Sequence, residues 1–376
     1  MKKSYFVIVC PFIDKGVGIC YYIIIINTEV PMIALPIILV IITLIGVKFS
    51  GFHKDYAGLS QTTAVKGFFA VVIVMSHMMG YVAMSHPTEE LYRNIINHVG
   101  QLMVALFFFY SGYGVVYSYN KKSDYYDGFI KNRLLKVLLH FDVAVLLFAV
   151  MNIILSIRFD KTQYITCWVG WGSIGNSNWF IFDTLIFYVI AFIAMTVKEK
   201  TKTGNVIFAF VITVLCLFFW AVMAILYGKN ATWWYDTIYC FPAGIWYAVL
   251  KDKIDAVAKK WYFYIPILAL LVGAFAYFYE RRFYVEYFSI LAPVFCLLLT
   301  WVTMKVKLDN KILAWLGKHS FEIYIIQRIP MTFLRHFGLN KNSTLFAFLV
   351  IVTVLLSAWL FALLLKKIDK LVYRKK

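Results

Sequence analysis

Stretches of eighteen or more predominantly apolar residues recur along this whole chain, each long enough to cross a hydrocarbon core of about 30 Å as a helix. No other feature restricts the fold as tightly. Inside lipid every backbone polar group needs an internal partner, and apolar runs of that length meet the need as helices. The chain is 62% hydrophobic, where a soluble domain would be nearer half apolar. The expected fold is therefore all-α, a polytopic transmembrane helical bundle.

Ten core spans are predicted at about 62–84, 99–119, 133–156, 179–197, 204–227, 235–250, 261–279, 284–304, 312–336 and 344–368. One or two apolar segments precede them. One covers about 30–47. The other, 5–26, is interrupted by Pro11, Asp14, Lys15 and Gly16 and reads as a short span or an interfacial hairpin. No small-residue cleavage pattern follows it, so a signal peptide is not expected. The chain divides into an N-terminal membrane segment, 1–58, and a transmembrane domain, 59–370. No extramembrane domain and no internal repeat is expected.

The net charge of +18 is concentrated in alternate loops. One set holds Lys48 and Lys54; Lys121, Lys122, Lys131, Arg133 and Lys136; Lys198, Lys200 and Lys202; Lys251, Lys253, Lys259 and Lys260; Lys305, Lys307 and Lys311; and the tail from Lys366 to Lys376. The other set holds only Arg93, Arg158, Lys161, Lys229, Arg281, Arg282 and Lys341, with Arg335 near a span end. This is the bias of a multi-pass cell-membrane protein with a cytoplasmic C-terminus, and not of a nucleic-acid binder. Trp and Tyr near the span ends fit interfacial belts in the bilayer. The six cysteines form no CxxC pair and lie mostly in apolar runs, so neither a metal site nor a disulfide framework is expected.

Against this background the ionisable residues within the spans carry the functional signal. His77 lies eleven residues after Lys66, about 16 Å along a helix axis. Lys66 would mark the cytoplasmic face and His77 the outer half. With Lys66, Arg133 and Lys136 form an inner basic layer. Residues three apart share a helix face, which pairs Arg133 with Lys136 as a clamp for the phosphates of an anionic donor such as an acyl-CoA. An outer polar layer holds His77, Asp183, Gln327 and Arg328, with Glu322 and Asp142 deeper and His140 close to Asp142. Histidine suits proton abstraction near neutral pH, or would carry an acyl group covalently. Asp183 or Glu322 would orient it, and spacing does not choose between them. The longest loops, about 85–98 and 157–178, face outward. The second carries Trp168, Trp171 and three glycines, and is a candidate lid or sugar-binding surface ahead of Trp179.

These residues resemble the membrane acyltransferase family 3, the ten-span O-acyltransferases of bacterial surface glycans, over about 59–368. The family opens with a basic residue, ten intervening residues and a histidine, as Lys66 and His77 do. Phe107-Phe-Phe-Tyr-Ser111-Gly112 is similar to its next motif, and Arg133-Leu-Leu-Lys136 to its basic stretch. Trp179-Phe180 with Phe187-Tyr188, and Gly317 through Ser320, Phe321 and Tyr324 to Gln327, resemble the later ones. Three departures stand out: Lys66 replaces the usual Arg, Gln327 replaces a frequent His, and Thr184 stands where one subgroup has Glu. The resemblance implies acyl transfer, acetyl foremost, from cytoplasmic acyl-CoA to a hydroxyl of an exopolysaccharide, capsule, lipopolysaccharide or other envelope glycan. Lys66, Arg133 and Lys136 would bind the donor. His77, with Asp183 or Glu322, would act on the hydroxyl. Trp179, Ser111, Tyr324, Gln327 and Arg328 would contact substrate, with no metal required. The competing reading is a transporter or flippase that uses the same polar groups as a path; a scaffold that has lost activity is a third.

Overall fold

A computed structural model describes residues 5–13, 19–27, 32–49, 51–82, 87–196 and 201–373. It is helical almost throughout. Two strands, β1 (Tyr5–Ile13) and β2 (Ile19–Asn27), pair antiparallel from Tyr5 opposite Asn27 to Ile13 opposite Ile19. Of the two readings of this segment, the hairpin is the one adopted. Asp14, Lys15 and Gly16 lie outside the described residues, as do Lys198, Lys200 and the last three residues of the basic tail. Next come α1 (Ala34–Leu44) and β3 (Val47–Phe49). The core follows as α2 (Leu59–Met78), α3 (Pro87–Lys121), α4 (Lys136–Ile154), α5 (Lys161–Thr166), α6 (Trp179–Met195), α7 (Lys202–Tyr227), α8 (Cys240–Ala258), α9 (Trp261–Glu280) and α10 (Val285–Thr303). It ends with β4 (Val306–Leu308), α11 (Lys311–Lys318), α12 (Ser320–Ile326), α13 (Arg328–His336) and α14 (Ser343–Val372). Among the described residues, seven helices are long and apolar enough to cross a membrane: α2, α3, α4 with the turn before it, α7, α9, α10 and α14.

Three sequence expectations are corrected here. Among its described residues, the segment predicted as a span at 30–47 is helical only over the eleven residues of α1, about 16 Å, half a bilayer core. The predicted loop 85–98 is the first part of α3 from Pro87 onward. The predicted single span 312–336 is three short helices. Pro330 lacks the N–H that an unbroken helix would give to the carbonyl of Ile326. Just before it, the Gln327 amide donates to the Tyr324 carbonyl at 3.0 Å, which an unbroken helix would give to the N–H of Arg328.

Glycines set the two closest helix crossings. A Cβ at Gly67 of α2 would lie 2.0 Å from the Leu313 carbonyl oxygen on α11. Reciprocally, one at Gly317 would lie 1.7 Å from that of Thr63. Gly112 of α3 and Gly244 of α8 repeat the arrangement against the carbonyls of Phe241 and Phe109. Small residues let membrane helices approach backbone to backbone. The consequence is positional, because Lys66 and Ser111 are each the neighbour of a crossing glycine.

The N-terminal segment is strapped to this core. β3 pairs with β4, Lys48 bridges to Asp309 at 2.6 Å, and the Asn310 amide donates to the carbonyls of Ile42 and Ile45. Asn310 also caps α11 by accepting from the N–H groups of Ile312 and Leu313. At the periphery α9 buries only Tyr264 among its residues, whose ring stacks on Trp301 of α10 with two reciprocal hydrogen bonds of 3.1 Å.

Candidate active site

Two cavities lie at opposite ends of α2. The first, about 630 Å³, is lined at its mouth by Gly58, Leu59, Thr62, Lys66, Lys122 and Arg133. Further in it is lined by Phe107, Tyr110, Ser111, Phe180, Tyr188 and Tyr324. The second, about 510 Å³, is lined by His77, Gly80, Tyr81, Asn152, Phe159, Gly175, Arg328, Thr332, Arg335 and His336. Helix geometry accounts for the separation, because eleven residues of rise carry α2 from Lys66 to His77.

Aromatic rings divide the two. Tyr324 stands 6.2 Å from the His77 ring and 5.0 Å from Phe180, centroid to centroid. Tyr324 and Phe180 close the Lys66 cavity, and His77 faces the other side. The Tyr324 hydroxyl is buried without a hydrogen-bond partner, and Ser177, Arg328 and Asp183 are its polar neighbours.

In the Lys66 cavity, Arg133 lies close enough to Lys66 for their charges to interact. Its guanidinium packs 5.9 Å from the Tyr125 ring, with the phenols of Tyr125 and Tyr188 beside it. Ser111 donates to the Tyr188 hydroxyl at 3.2 Å. Among the described residues no carboxylate lines this cavity.

Lys136 departs from expectation. It is not brought to the cavity but is ion-paired with Asp369 of α14 at 2.6 Å. The cause is local. Residues Ile130–Leu135 form a π-helical turn, whose wider winding removes Arg133 and Lys136 from a common face. His140, one turn further along α4, also contacts Asp369, at 2.9 Å, and not its sequence neighbour Asp142.

His77 is not paired with a carboxylate. Its Nδ1 is buried without a hydrogen-bond partner, and its polar neighbours are Arg328 and Gln327. Gln327 is fully buried and occupies the position that spacing alone had offered to Asp183 or Glu322. Asp183 is also fully buried, with both oxygens unpartnered, but its charged neighbour is Asp236 in the turn before α8. Glu322 faces the other way, toward His319, His140 and Lys366. The arrangement leaves both acids out of direct contact with the imidazole.

The loop before α6 contributes in a different way from that expected of its tryptophans. Ile157, Phe159 and Gly175 line the His77 cavity. Trp171 packs instead on Phe182, Tyr227 and Trp234 at 5.1–5.6 Å. Trp179 lines neither cavity and packs on Phe108 and Phe180. A capping box between Asp160 and Gln163 starts α5, and the Asn152 amide donates to the Ile174 carbonyl at 2.8 Å. Gly175, at φ +100°, makes a turn that an L side chain rarely adopts, which keeps the cavity wall bare there.

The lining residues not anticipated as site residues include Lys122, Asn152, Arg335 and His336. The last two are readable, since they follow Arg328 by seven and eight residues and so share its helical face.

The fold is that of a polytopic helical membrane protein with a cavity at each end of α2. A family model described as an acyltransferase domain matches residues 62–363, and the chain belongs to this family, the acyltransferase family 3 that its motifs resemble. No curated protein and no solved structure matches the chain significantly.

Proposed function

We propose that the chain transfers an acyl group, acetyl in the first instance, from acyl-CoA in the Lys66 cavity to a hydroxyl of an envelope glycan in the His77 cavity. The observation that carries this reading is the pair of cavities at the two ends of one helix, divided by Tyr324 and Phe180. Lys66, Arg133 and Lys122 supply cations for the donor phosphates. The aromatic inner wall suits a pantetheine arm. The loop-charge bias supports a bacterial cell-membrane location with the Lys66 mouth and the C-terminus cytoplasmic and the His77 cavity open to the far side.

His77 takes the acceptor hydroxyl proton as the oxygen attacks the thioester carbonyl. The C–O bond forms, the C–S bond breaks, and the proton passes to the leaving thiolate. A two-step route through an acyl-histidine gives the same balance. Gln327 and Arg328, not a carboxylate, set the electrostatics at the imidazole in this scheme, and Gln327 is its positioning residue.

The test uses inside-out vesicles carrying the protein and acetyl-labelled acetyl-CoA. Label in a lumenal glycan with the wild type but not with His77→Ala is the expected result. Equal labelling with both removes His77 from the reaction. Glycan movement into or out of the vesicles without labelling favours a transporter. In a cysteine-free background, a cysteine at Lys253 is expected to react only with a permeant reagent in intact cells and one at Lys229 with an impermeant reagent; the reverse inverts the orientation.

A further inference from the structure

The His77 cavity carries a charge pattern that acyl transfer to a neutral sugar does not need. Arg328, Thr332, Arg335 and His336 fall at positions i, i+4, i+7 and i+8 of α13 and all line the cavity. With His77 they place two guanidinium groups and two imidazoles around one volume of about 510 Å³. Among the described residues no Asp or Glu lines it, and neither Arg328 nor Arg335 has an ion-pair partner. The Arg328 Nε is buried without a hydrogen-bond partner. Arg335 is exposed, over the Tyr81 ring at 6.0 Å.

An unpaired cation at the depth of Arg328 is costly, and intramembrane arginines usually pair. Topology does not account for them either, because this end of the bundle belongs to the cation-poor loop set. A guanidinium binds an oxyanion in a planar two-point geometry. Beside the apolar Met151 and Ile157, the lining residues Asn152, Thr332, Tyr81 and Phe159 offer amide, hydroxyl and ring faces that suit a sugar.

From this geometry we infer that the acceptor is an acidic saccharide, whose carboxylate or phosphate rests on Arg328 and Arg335 while a nearby hydroxyl meets His77. The inference rests on the acyl-transfer reading and narrows its acceptor class.

The test measures binding to the full-length protein in neutral-lipid nanodiscs. The probes are a tetrasaccharide of alternating glucuronic acid and N-acetylglucosamine, its carboxyl-reduced form, and glucose 1-phosphate. At least one acidic probe is expected to bind about tenfold or more tighter than the reduced sugar, with affinity falling as salt rises. Arg335→Gln, at an exposed position that does not threaten folding, is expected to abolish that preference, and Lys229→Gln to leave it intact. Equal binding of acidic and reduced probes, no binding of the acidic probes, or an unchanged preference in Arg335→Gln overturns the inference. Retention of phosphatidylglycerol that depends on Arg335, without acidic-sugar preference, overturns it in favour of a lipid headgroup. Acetyl-CoA binding by the wild type, measured in the same discs, separates the two levels. If the donor binds and acidic sugars are not preferred, only the acceptor class is wrong; if the donor does not bind, the acyl-transfer reading fails with it.

Discussion

The rings of His77 and Tyr324 lie 6.2 Å apart, tilted by 50°, yet each belongs to a different cavity. In the proposed reaction, a thioester arriving from the Lys66 side would meet the imidazole at the edge of Tyr324. In that scheme the ring of Tyr324 would hold the acyl carbon close and keep the two volumes from merging. Tyr324→Ala is expected to lower acyl transfer by on the order of a hundredfold, the cost of losing alignment at a reacting centre. Hydrolysis of the donor should rise relative to transfer as the wall opens. Tyr324→Phe keeps the ring and should keep the coupling. The ratio of free CoA released to acceptor acylated, measured for the three proteins, checks this. A normal ratio in Tyr324→Ala removes the ring from the reaction path.

Two cations separated by three residues are expected to behave differently. Arg133 lines the Lys66 cavity, while Lys136 is committed to Asp369. Arg133→Gln and Lys66→Gln should each raise the donor KM by about tenfold, the worth of a hydrogen bond to a charged group, with little change in acceptor KM. Lys136→Gln should leave the donor KM alone and lower thermal stability, as should Asp369→Asn. Steady-state kinetics with both substrates varied distinguishes them. A donor KM that responds to Lys136→Gln as it does to Arg133→Gln returns Lys136 to the donor site.

The contrast between these residues shows which relationships are legible in a sequence. The separation of Lys66 from His77 needed only the rise of one helix, and the two cavities follow from it. The face shared by Arg133 and Lys136 also looked like simple helical arithmetic, but the π-turn at Ile130–Leu135 changes the winding and leaves no obvious mark in composition. The neighbour of His77 was out of reach of spacing altogether. Whether Asp183, Glu322 or Gln327 meets it depends on how α6 and α12 are rotated against α2, and that rotation is fixed by packing. Even so, Pro330 and Gln327 are visible in the sequence as sites where a 25-residue span would struggle to remain one helix.

The glycine crossings make a sharp stability prediction. Gly317→Ala and Gly67→Ala would each push a methyl group into a backbone carbonyl of the partner helix, at 1.7 and 2.0 Å. Neither neighbour is a flexible side-chain tip, so α2 and α11 must separate. A loss of about 1–3 kcal/mol or more is expected. Because Lys66 adjoins Gly67, donor affinity should fall in the fraction that still folds. Gly273→Ala, whose new methyl would meet nothing within 4 Å, is the control and should be neutral or slightly stabilising. Thermal unfolding in detergent compares the three. Equal melting temperatures would mean that the crossing relaxes without cost.

The strap between the N-terminal segment and the core should respond to acid. The Lys48 ammonium, hydrogen-bonded to Asp309 at 2.6 Å, holds that carboxyl below the ordinary aspartate range, with Lys307 and Lys311 adding to the effect. A carboxylate with a depressed pKa contributes its stability fully above the ordinary aspartate value of about 3.9 and loses it as pH falls through the depressed one. The pair is exposed, so it should also weaken in 1 M salt, where the screening length is about 3 Å. Hydrogen exchange at Val47–Phe49 and Val306–Leu308, corrected for intrinsic rates, reads the strap directly. In the wild type, protection should hold at neutral pH and fall in acid. In Asp309→Asn it should be low at both. Matching protection at neutral pH in the two proteins would assign the strap to the β3–β4 backbone ladder and Asn310 alone, with the ion pair a bystander.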